Sequence, residues 1–329
     1  MGGFGGINII GTGSFVPEYR IKNDDFACFL DTNDEWITSR TGISERRFHF
    51  NGKNSEMAIA AARNALEDSG CFPGEIDYVI VSTSTPDYFY PSLSCQVSDA
   101  LSIKGAGCLD VNAACTGFVS ALDIARSYLA LGVYQKILVV ASEKLSSHVD
   151  FNDRTTAVLF GDGAGAIIAE KGEGIYSSYI SSNPECEEDN SLYCKVNYEP
   201  NHKFENRYEQ TKKTPHMFMD GKAVYKFAVE VMQTAAEKAA EKLGMSPSQF
   251  DIIIPHQANI RIIKSAIKGL GLTMDKIYTH INTRANISSA CIPTMLDELK
   301  KSNRLERGMK ICIVAFGAGL TFGSICFEY

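Results

Sequence analysis

Three short segments, far apart in the chain, carry side chains that could move an acyl group. Cys115 sits in Leu109-Asp110-Val111-Asn112-Ala113-Ala114-Cys115-Thr116-Gly117, where apolar residues give way to small ones. Phe118, Val119, Leu122, Ile124, Ala125 and Leu129 follow as a long apolar helical pattern, which predicts the sulfur at a helix N-terminus. Unpaired N–H groups and the helix dipole favour a thiolate there, and the thiolate is the nucleophilic form. On this reading the nucleophile needs little help from a base. Ile252-Ile253-Ile254-Pro255 reads as a strand that delivers His256 at its end, followed by Gln257-Ala258-Asn259. Asn286 lies in a loop of small residues, Asn282-Thr283-Arg284-Ala285-Asn286-Ile287-Ser288-Ser289-Ala290. A cysteine, a histidine and an asparagine so separated are the parts of a thiol acyl-transfer site.

Elements from two copies of one pattern position these groups. Ala61, Ala62, Gly70, Pro73 and Asp77 recur 174 residues later as Ala235, Ala236, Gly244, Pro247 and Asp251. Leu122-Asp123 recurs as Leu296-Asp297, Lys136-Ile137 as Lys310-Ile311 and Val140-Ala141 as Val314-Ala315, all at that offset. Fixed-offset matches in three separate segments argue for duplication. The offset pairs Cys115 with Ser289 and His256 with Ser82, so the copies have diverged where the chemistry lies. Val224, Phe227, Ala228, Val231, Met232 and Ala235 follow helical spacing. Tyr78–Val81, Ile137–Val140, Ile252–Ile254 and Ile311–Val314 are continuous apolar runs, as in strands covered on both faces by helices. The stretch 181–215 is rich in Asn, Glu, Lys and Tyr and lacks periodicity. A loop of that length inside a compact domain is usually functional, and it is a candidate cap over the pocket.

Composition closes off other classes. The 329 residues are 45% hydrophobic and 22% charged, ordinary for a globular enzyme with an ample core. No apolar run reaches the roughly 18 residues of a membrane span, and the start has no secretory pattern. A net charge of −7 argues against nucleic-acid binding. The ten cysteines show no metal spacing; Cys186 and Cys194 share a polar loop but not a zinc pattern. Reduced thiols, a cytoplasmic location, and neither metal nor membrane are the expectations. Gly161, Gly163 and Gly165 match neither the dinucleotide nor the P-loop fingerprint.

Taken in order, the three segments resemble those of β-ketoacyl-acyl-carrier-protein synthase III, a condensing enzyme of the thiolase superfamily. The resemblance extends to Asp31–Ile43, to Phe160-Gly161-Asp162-Gly163-Ala164-Gly165-Ala166 and to Phe316-Gly317-Ala318-Gly319-Leu320-Thr321-Phe322-Gly323-Ser324, and so spans nearly the whole chain. It implies an α/β thiolase-like fold, two duplicated halves (1–174 with the cysteine, 175–329 with the histidine and asparagine) giving a five-layered αβαβα sandwich. It implies a homodimer that condenses an acyl-CoA, foremost acetyl-CoA, with malonyl-acyl carrier protein and releases CoA and carbon dioxide, starting fatty-acid chains. No cofactor is held permanently; the substrates bring coenzyme A and phosphopantetheine.

The resemblance also assigns residues. Cys115 takes the acyl group, and His256 and Asn286 hold the malonyl thioester oxygen as charge grows on it. The N–H groups of Cys115 and Ala318 form a second oxyanion hole. Thr32, Trp36, Arg40, Arg154, Gly221 and Asn259 are implied to bind CoA, with Trp36 stacking on adenine. Tyr90, Phe160 and Met219 border the acyl pocket, Tyr90 reaching in from the partner subunit as an end wall. Lys226, Arg261 and Lys268 dock the carrier protein; Arg261, Lys264 and Lys268 share one helical face. Asn286 separates the chain from Cys-His-His elongating enzymes, and Phe316 from thiolases, which carry a second cysteine there. The chain departs from the family at Ala285, Ile287, Ala318 and Phe322, and in a longer 181–215 loop. A specialised-metabolism enzyme of the same fold, or a silent binding paralogue, are the rival readings.

Overall fold

The computed structural model describes residues 5–183, 191–194 and 216–329. The first half contributes β1 (Gly6–Phe15), β2 (Tyr19–Lys22), α1 (Asn23–Ala27), α2 (Asp34–Thr41), β3 (Glu45–Phe48), α3 (Asn54–Ser69), β4 (Tyr78–Ser82) and α4 (Leu93–Ala100). It continues with β5 (Gly107–Val111), α5 (Gly117–Ala130), β6 (Lys136–Lys144), α6 (Arg154–Ala157) and β7 (Asp162–Gly172). Then come β8 (Tyr176–Ser182), β9 (Leu192–Cys194), β10 (Met217–Met219), α7 (Gly221–Glu241), β11 (Ile252–Pro255), α8 (Ile260–Gly269), α9 (Ile281–Arg284), α10 (Cys291–Lys301), β12 (Lys310–Gly317) and β13 (Thr321–Glu328).

Two mixed sheets organise these elements. One runs β1-β7-β6-β4-β5, the other β11-β12-β13-β8. Within each, apolar strands pair in parallel, β4 with β6 and β11 with β12. The four apolar runs predicted as strands are β4, β6, β11 and β12, and the predicted amphipathic helix is α7. Buried Ile80, Val139, Ile311 and Ile313 meet α5 and α10 in a central core. The opposite face of the first sheet packs on α3 through Met57, Ala61, Val81 and Val140. The far face of the second packs on α7 and α8 through Met232, Ala235, Ile253 and Cys312. Helix, sheet, helices, sheet, helix is the five-layered order the resemblance implied.

The 174-residue offset holds element by element. It relates the 3₁₀ turns Pro73–Glu75 and Pro247–Gln249, and the starts of β4 and β11 at Tyr78 and Ile252. It also relates the 3₁₀ turns Ala114–Thr116 and Ser288–Ala290, the starts of α5 and α10 at Gly117 and Cys291, and those of β6 and β12 at Lys136 and Lys310. Each of the two central helices is thus entered through the same sharp turn. In both turns the first residue takes a left-handed backbone, φ 45° at Ala114 and 49° at Ser288.

Close packing explains the spacing of Gly161, just ahead of β7, and of Gly163 and Gly165 within it. A Cβ on Gly165 would lie 2.5 Å from the Thr294 N and 2.9 Å from the Pro293 Cβ, so its absence lets α10 rest on the strand. Cβ atoms on Gly161 and Gly163 would meet Ile287 at 3.4 and 3.3 Å. The unusual isoleucine beside Asn286 therefore seals that junction as a buried core residue.

Candidate active site

Cys115 stands in the turn ahead of α5, as its motif predicts. A Cβ on Gly317 would lie 2.8 Å from the Cys115 N and 3.1 Å from its Cβ, so the end of β12 touches the Cys115 backbone. A Cβ on Gly117 would lie 2.1 Å from the Ser82 Oγ, which fixes how closely α5 approaches β4. Two glycines thus hold the turn in place by permitting contact, since only a residue without Cβ fits there.

His256 follows β11 directly, and its N–H donates to the Val314 carbonyl at 2.8 Å. The residue is 1% exposed. Nδ1 lies 3.2 Å from the Sγ of Cys291. The Phe316 ring meets the imidazole edge-on, centroids 5.5 Å apart. Asn286 is pinned through its backbone: its N–H donates to the Leu159 carbonyl at 3.0 Å, and its carbonyl accepts from Gly161 N at 2.9 Å. Its Oδ1 accepts from Ser288 N at 2.8 Å. The amide carbonyl is therefore occupied, and the Nδ2 donors remain.

Cys115, His256 and Asn286 line one pocket, together with Ala318 at the tip of the β12–β13 hairpin. Phe160 and Met219 lie in its apolar wall, and Gly221 and Asn259 line it as well. Leu192, Tyr193 and Cys194 of β9 also line it, backed by the antiparallel pairing of β9 with β10. Of the 181–215 stretch read as a cap, residues 184–190 and 195–215 lie outside the described residues.

Burial corrects the expectation of a ready thiolate. Desolvation pushes the Cys115 thiol up to about 12; the Glu143 carboxylate adds to the rise, while a hydrogen bond from the Ser288 side chain opposes it. The helix start is where the sequence put it, but the cost of charging a buried sulfur exceeds what the turn's N–H groups return. Desolvation also holds His256 down to about 3, against a hydrogen bond to the Ser288 backbone, so its imidazole is neutral at physiological pH.

The other predicted residues separate into groups. Trp36 lies on α2, whose N-terminus is capped by the Asn33 side chain. The Arg154 guanidinium stacks 4.8 Å from the centre of the Trp36 ring, and its Nη1 reaches the Asp31 carbonyl at 2.5 Å. Thr32 Oγ1 is buried with no partner among the described residues, and Arg40 is exposed in the last turn of α2. Trp36 and Ile260, the residue after Asn259, pack against the same buried cluster. Lys226 on α7 and Arg261, Lys264 and Lys268 on α8 are exposed, and the two helices are bridged by a 2.8 Å contact between the Tyr225 and Ser265 hydroxyls. Tyr90 does not line its own chain's pocket; it stands 87% exposed beside Phe89.

Sequence reasoning missed Ser288, Cys291 and Glu143. Ser288 contacts all three site residues through hydrogen bonds: its N–H to Asn286, its backbone to His256, and its side chain to Cys115. Glu143 had a signal, a carboxylate closing the otherwise small and apolar run Val139-Val140-Ala141-Ser142. Among the described residues no cluster of His, Cys, Asp and Glu could hold a metal ion, and no helix is long and apolar enough to cross a membrane.

Residues 109–184 match the family profile described as 3-oxoacyl-[acyl-carrier-protein (ACP)] synthase III, and 240–329 match its C-terminal profile. The β-ketoacyl-[acyl-carrier-protein] synthase III of Clostridium acetobutylicum is 44% identical over 327 residues, covering 98% of each chain. The crystal structure of 3-oxoacyl-[acyl-carrier-protein] synthase III from Aquifex aeolicus superposes with a TM-score of 0.90 at 37% identity, covering 98% of this chain and 100% of that one. The priming β-ketosynthase of the R1128 polyketide pathway superposes at 0.88 with 32% identity, over 98% and 96% of the two chains.

Proposed function

The chain belongs to the 3-oxoacyl-[acyl-carrier-protein] synthase III family, and from that premise we propose how its own residues run the reaction. The chain is a condensing acyltransferase that joins an acyl-CoA to malonyl-acyl carrier protein with loss of carbon dioxide, initiating fatty-acid synthesis. The convergence of Cys115, His256 and Asn286 on one pocket carries the residue assignment.

In the first half-reaction the Cys115 sulfur attacks the acyl-CoA carbonyl and its proton is handed on to the departing CoA sulfur. The resulting oxyanion is met by the N–H groups of Cys115 and Ala318, and CoA leaves with a proton. Malonyl-carrier protein then enters and loses carbon dioxide. The electron pair of the broken C–C bond becomes an enolate, whose oxygen lies against His256 Nε2 and Asn286 Nδ2. Fixed donors of this kind are typically worth about 3–4 kcal/mol each in a dry site. The enolate carbon attacks the acyl-cysteine carbonyl, the C–S bond breaks with its electron pair on the sulfur, the Cys115 thiolate takes up a proton from solvent, and β-ketoacyl-carrier protein departs.

The stacked Trp36 and Arg154, with Thr32, Arg40, Gly221 and Asn259, form the proposed CoA path. Lys226, Arg261 and Lys268 form the carrier-protein dock. No group is held permanently in this reading. The units 1–174 and 175–329 are the duplicated halves, each with its own sheet. A homodimer is supported by β5, an edge strand, and by exposed Tyr88, Phe89 and Tyr90; Tyr90 would enter the partner's acyl pocket. The setting is the cytoplasm, in keeping with free cysteines among the described residues.

Acetyl is the proposed acyl group, with Tyr90, Phe160 and Met219 limiting length. The likeness to a polyketide priming enzyme favours one second reading, a priming role in specialised metabolism with another acyl group. The test is product formation from malonyl-carrier protein and acyl-CoAs of two to eight carbons. Fastest turnover of acetyl-CoA supports the first reading and octanoyl preference the second. Absence of any β-ketoacyl product overturns both.

A further inference from the structure

The mechanism leaves one fully buried carboxylate beside the site unused. Glu143, near the end of β6, is 0% exposed. Its Oε2 accepts from Ser84 N at 3.1 Å, Ser84 Oγ at 2.8 Å and Thr85 Oγ1 at 3.0 Å. Its Oε1 accepts from Ser289 Oγ at 2.9 Å and Ser288 Oγ at 3.3 Å. A buried carboxylate is costly unless donors surround it, and here five do. The two sets of donors belong to different halves of the chain. Ser84 follows β4 and lines the pocket, while Ser288 and Ser289 form the turn after Asn286.

That turn decides which end of the Asn286 amide faces substrate. Ser288 N–H holds Oδ1, so Nδ2 is left as the pocket donor. Were the turn to move, the amide could rotate and present its carbonyl to the malonyl oxygen, a repulsive arrangement in the transition state. The duplicated frame makes the point a second way. Position 317, the 174-residue counterpart of 143, is a glycine that touches the Cys115 turn. Where the first turn must leave its sulfur open, its neighbour is bare; where the second must hold an amide still, its neighbour is a carboxylate.

We propose that Glu143 is a positioning residue for decarboxylation: by gripping the Ser288–Ser289 turn it keeps the Asn286 amide N–H groups aimed at the malonyl thioester oxygen. The inference rests on the role assigned to Asn286 above.

The test separates the half-reactions in the full-length protein. Acyl loading from acetyl-CoA is followed by intact mass, and carbon dioxide release is followed with malonyl-carrier protein. Glu143→Gln and Ser289→Ala are expected to load within about threefold of wild type but to release carbon dioxide about 10–100-fold more slowly, in kcat and not in KM, because a misaimed donor costs rate without costing binding. Loading and decarboxylation falling together, or decarboxylation unchanged in the variants, would overturn the proposal. Should Glu143→Gln not fold, Ser289→Ala decides by the same criteria. Asn286→Ala tells the two levels apart. If it keeps decarboxylation, the reading of the site fails; if it loses decarboxylation while the other two variants retain it, this inference alone fails.

Discussion

The turn at Ala114–Thr116 and the turn at Ser288–Ala290 are the same piece of backbone used twice. Each opens with a left-handed residue, each enters a central helix, and each packs against the end of a strand from the other half. Their contents differ. The first carries the Cys115 thiol beside Gly317; the second carries the Ser289 hydroxyl bonded to Glu143. Behind the first helix start, Gly117 meets Ser82; behind the second, Cys291 meets His256. The fold supplies one turn twice, and four paired substitutions decide whether it carries a thiol beside a glycine or a hydroxyl bonded to a carboxylate. Duplication followed by such divergence yields an asymmetric site on a near-symmetric frame.

The division of labour can be broken from the first turn. A methyl group on residue 317 has no room beside the Cys115 backbone. Gly317→Ala should slow acyl loading by about 100-fold, since a shift of about 1 Å in a reacting group has that effect. Carbon dioxide release from malonyl-carrier protein should be nearly intact. Stopped-flow or quenched measurement of both half-reactions checks this, and equal losses would show that the turns are not independent.

A stability measurement sharpens the comparison from the His256 side. Its pKa is about 3 folded and about 6.5 unfolded, so between these values only the unfolded chain binds the proton. Stability contributed by neutral His256 is fully present above pH 6.5 and falls as pH drops toward 3. The slope is about 1.4 kcal/mol per pH unit, or about 2 kcal/mol by pH 5. Urea unfolding at pH 7.5 and pH 5 should show a gap smaller by that amount in His256→Gln. Ser82, the counterpart of His256, cannot titrate, and Ser82→Ala should leave the gap as in wild type.

The smallest effect concerns the entry to the second turn. Ala285 is buried with φ 58° and ψ −157°, a region that suits glycine. Such a residue costs about 1–3 kcal/mol. Ala285→Gly should therefore raise stability by about 1 kcal/mol after the entropy of glycine is counted, as an increase in denaturation midpoint. A decrease would mean that the alanine methyl contributes packing that outweighs the strain.

Much of this was legible in the chain itself. Cys115, His256 and Asn286 announced themselves because each closes a recognisable local pattern, and the constant offset exposed the duplication before any contact was known. Apolar runs without alternation marked strands covered on both faces, while the five-layered order came from the family resemblance. Other features depend on contacts that no local pattern encodes. The Cys115 thiol is raised by desolvation in the folded pocket, which no local pattern at the helix start encodes. Glu143 grips residues about 145 positions away, so only the folded chain reveals its purpose. The β9–β10 wall of the pocket joins two three-residue strands that flank an aperiodic stretch. Tyr90 lies away from its own pocket, consistent with a role that a second copy would complete.

The central claim is that the first turn alone accepts the acyl group while the second serves the malonyl step. Intact mass followed by peptide mapping, after incubation with acetyl-CoA, tests it on wild type, Cys115→Ala and Asn286→Ala. The account predicts one acyl group on Cys115 in wild type and in Asn286→Ala, and none in Cys115→Ala. Acylation of any other residue, or failure of Asn286→Ala to load, would contradict it.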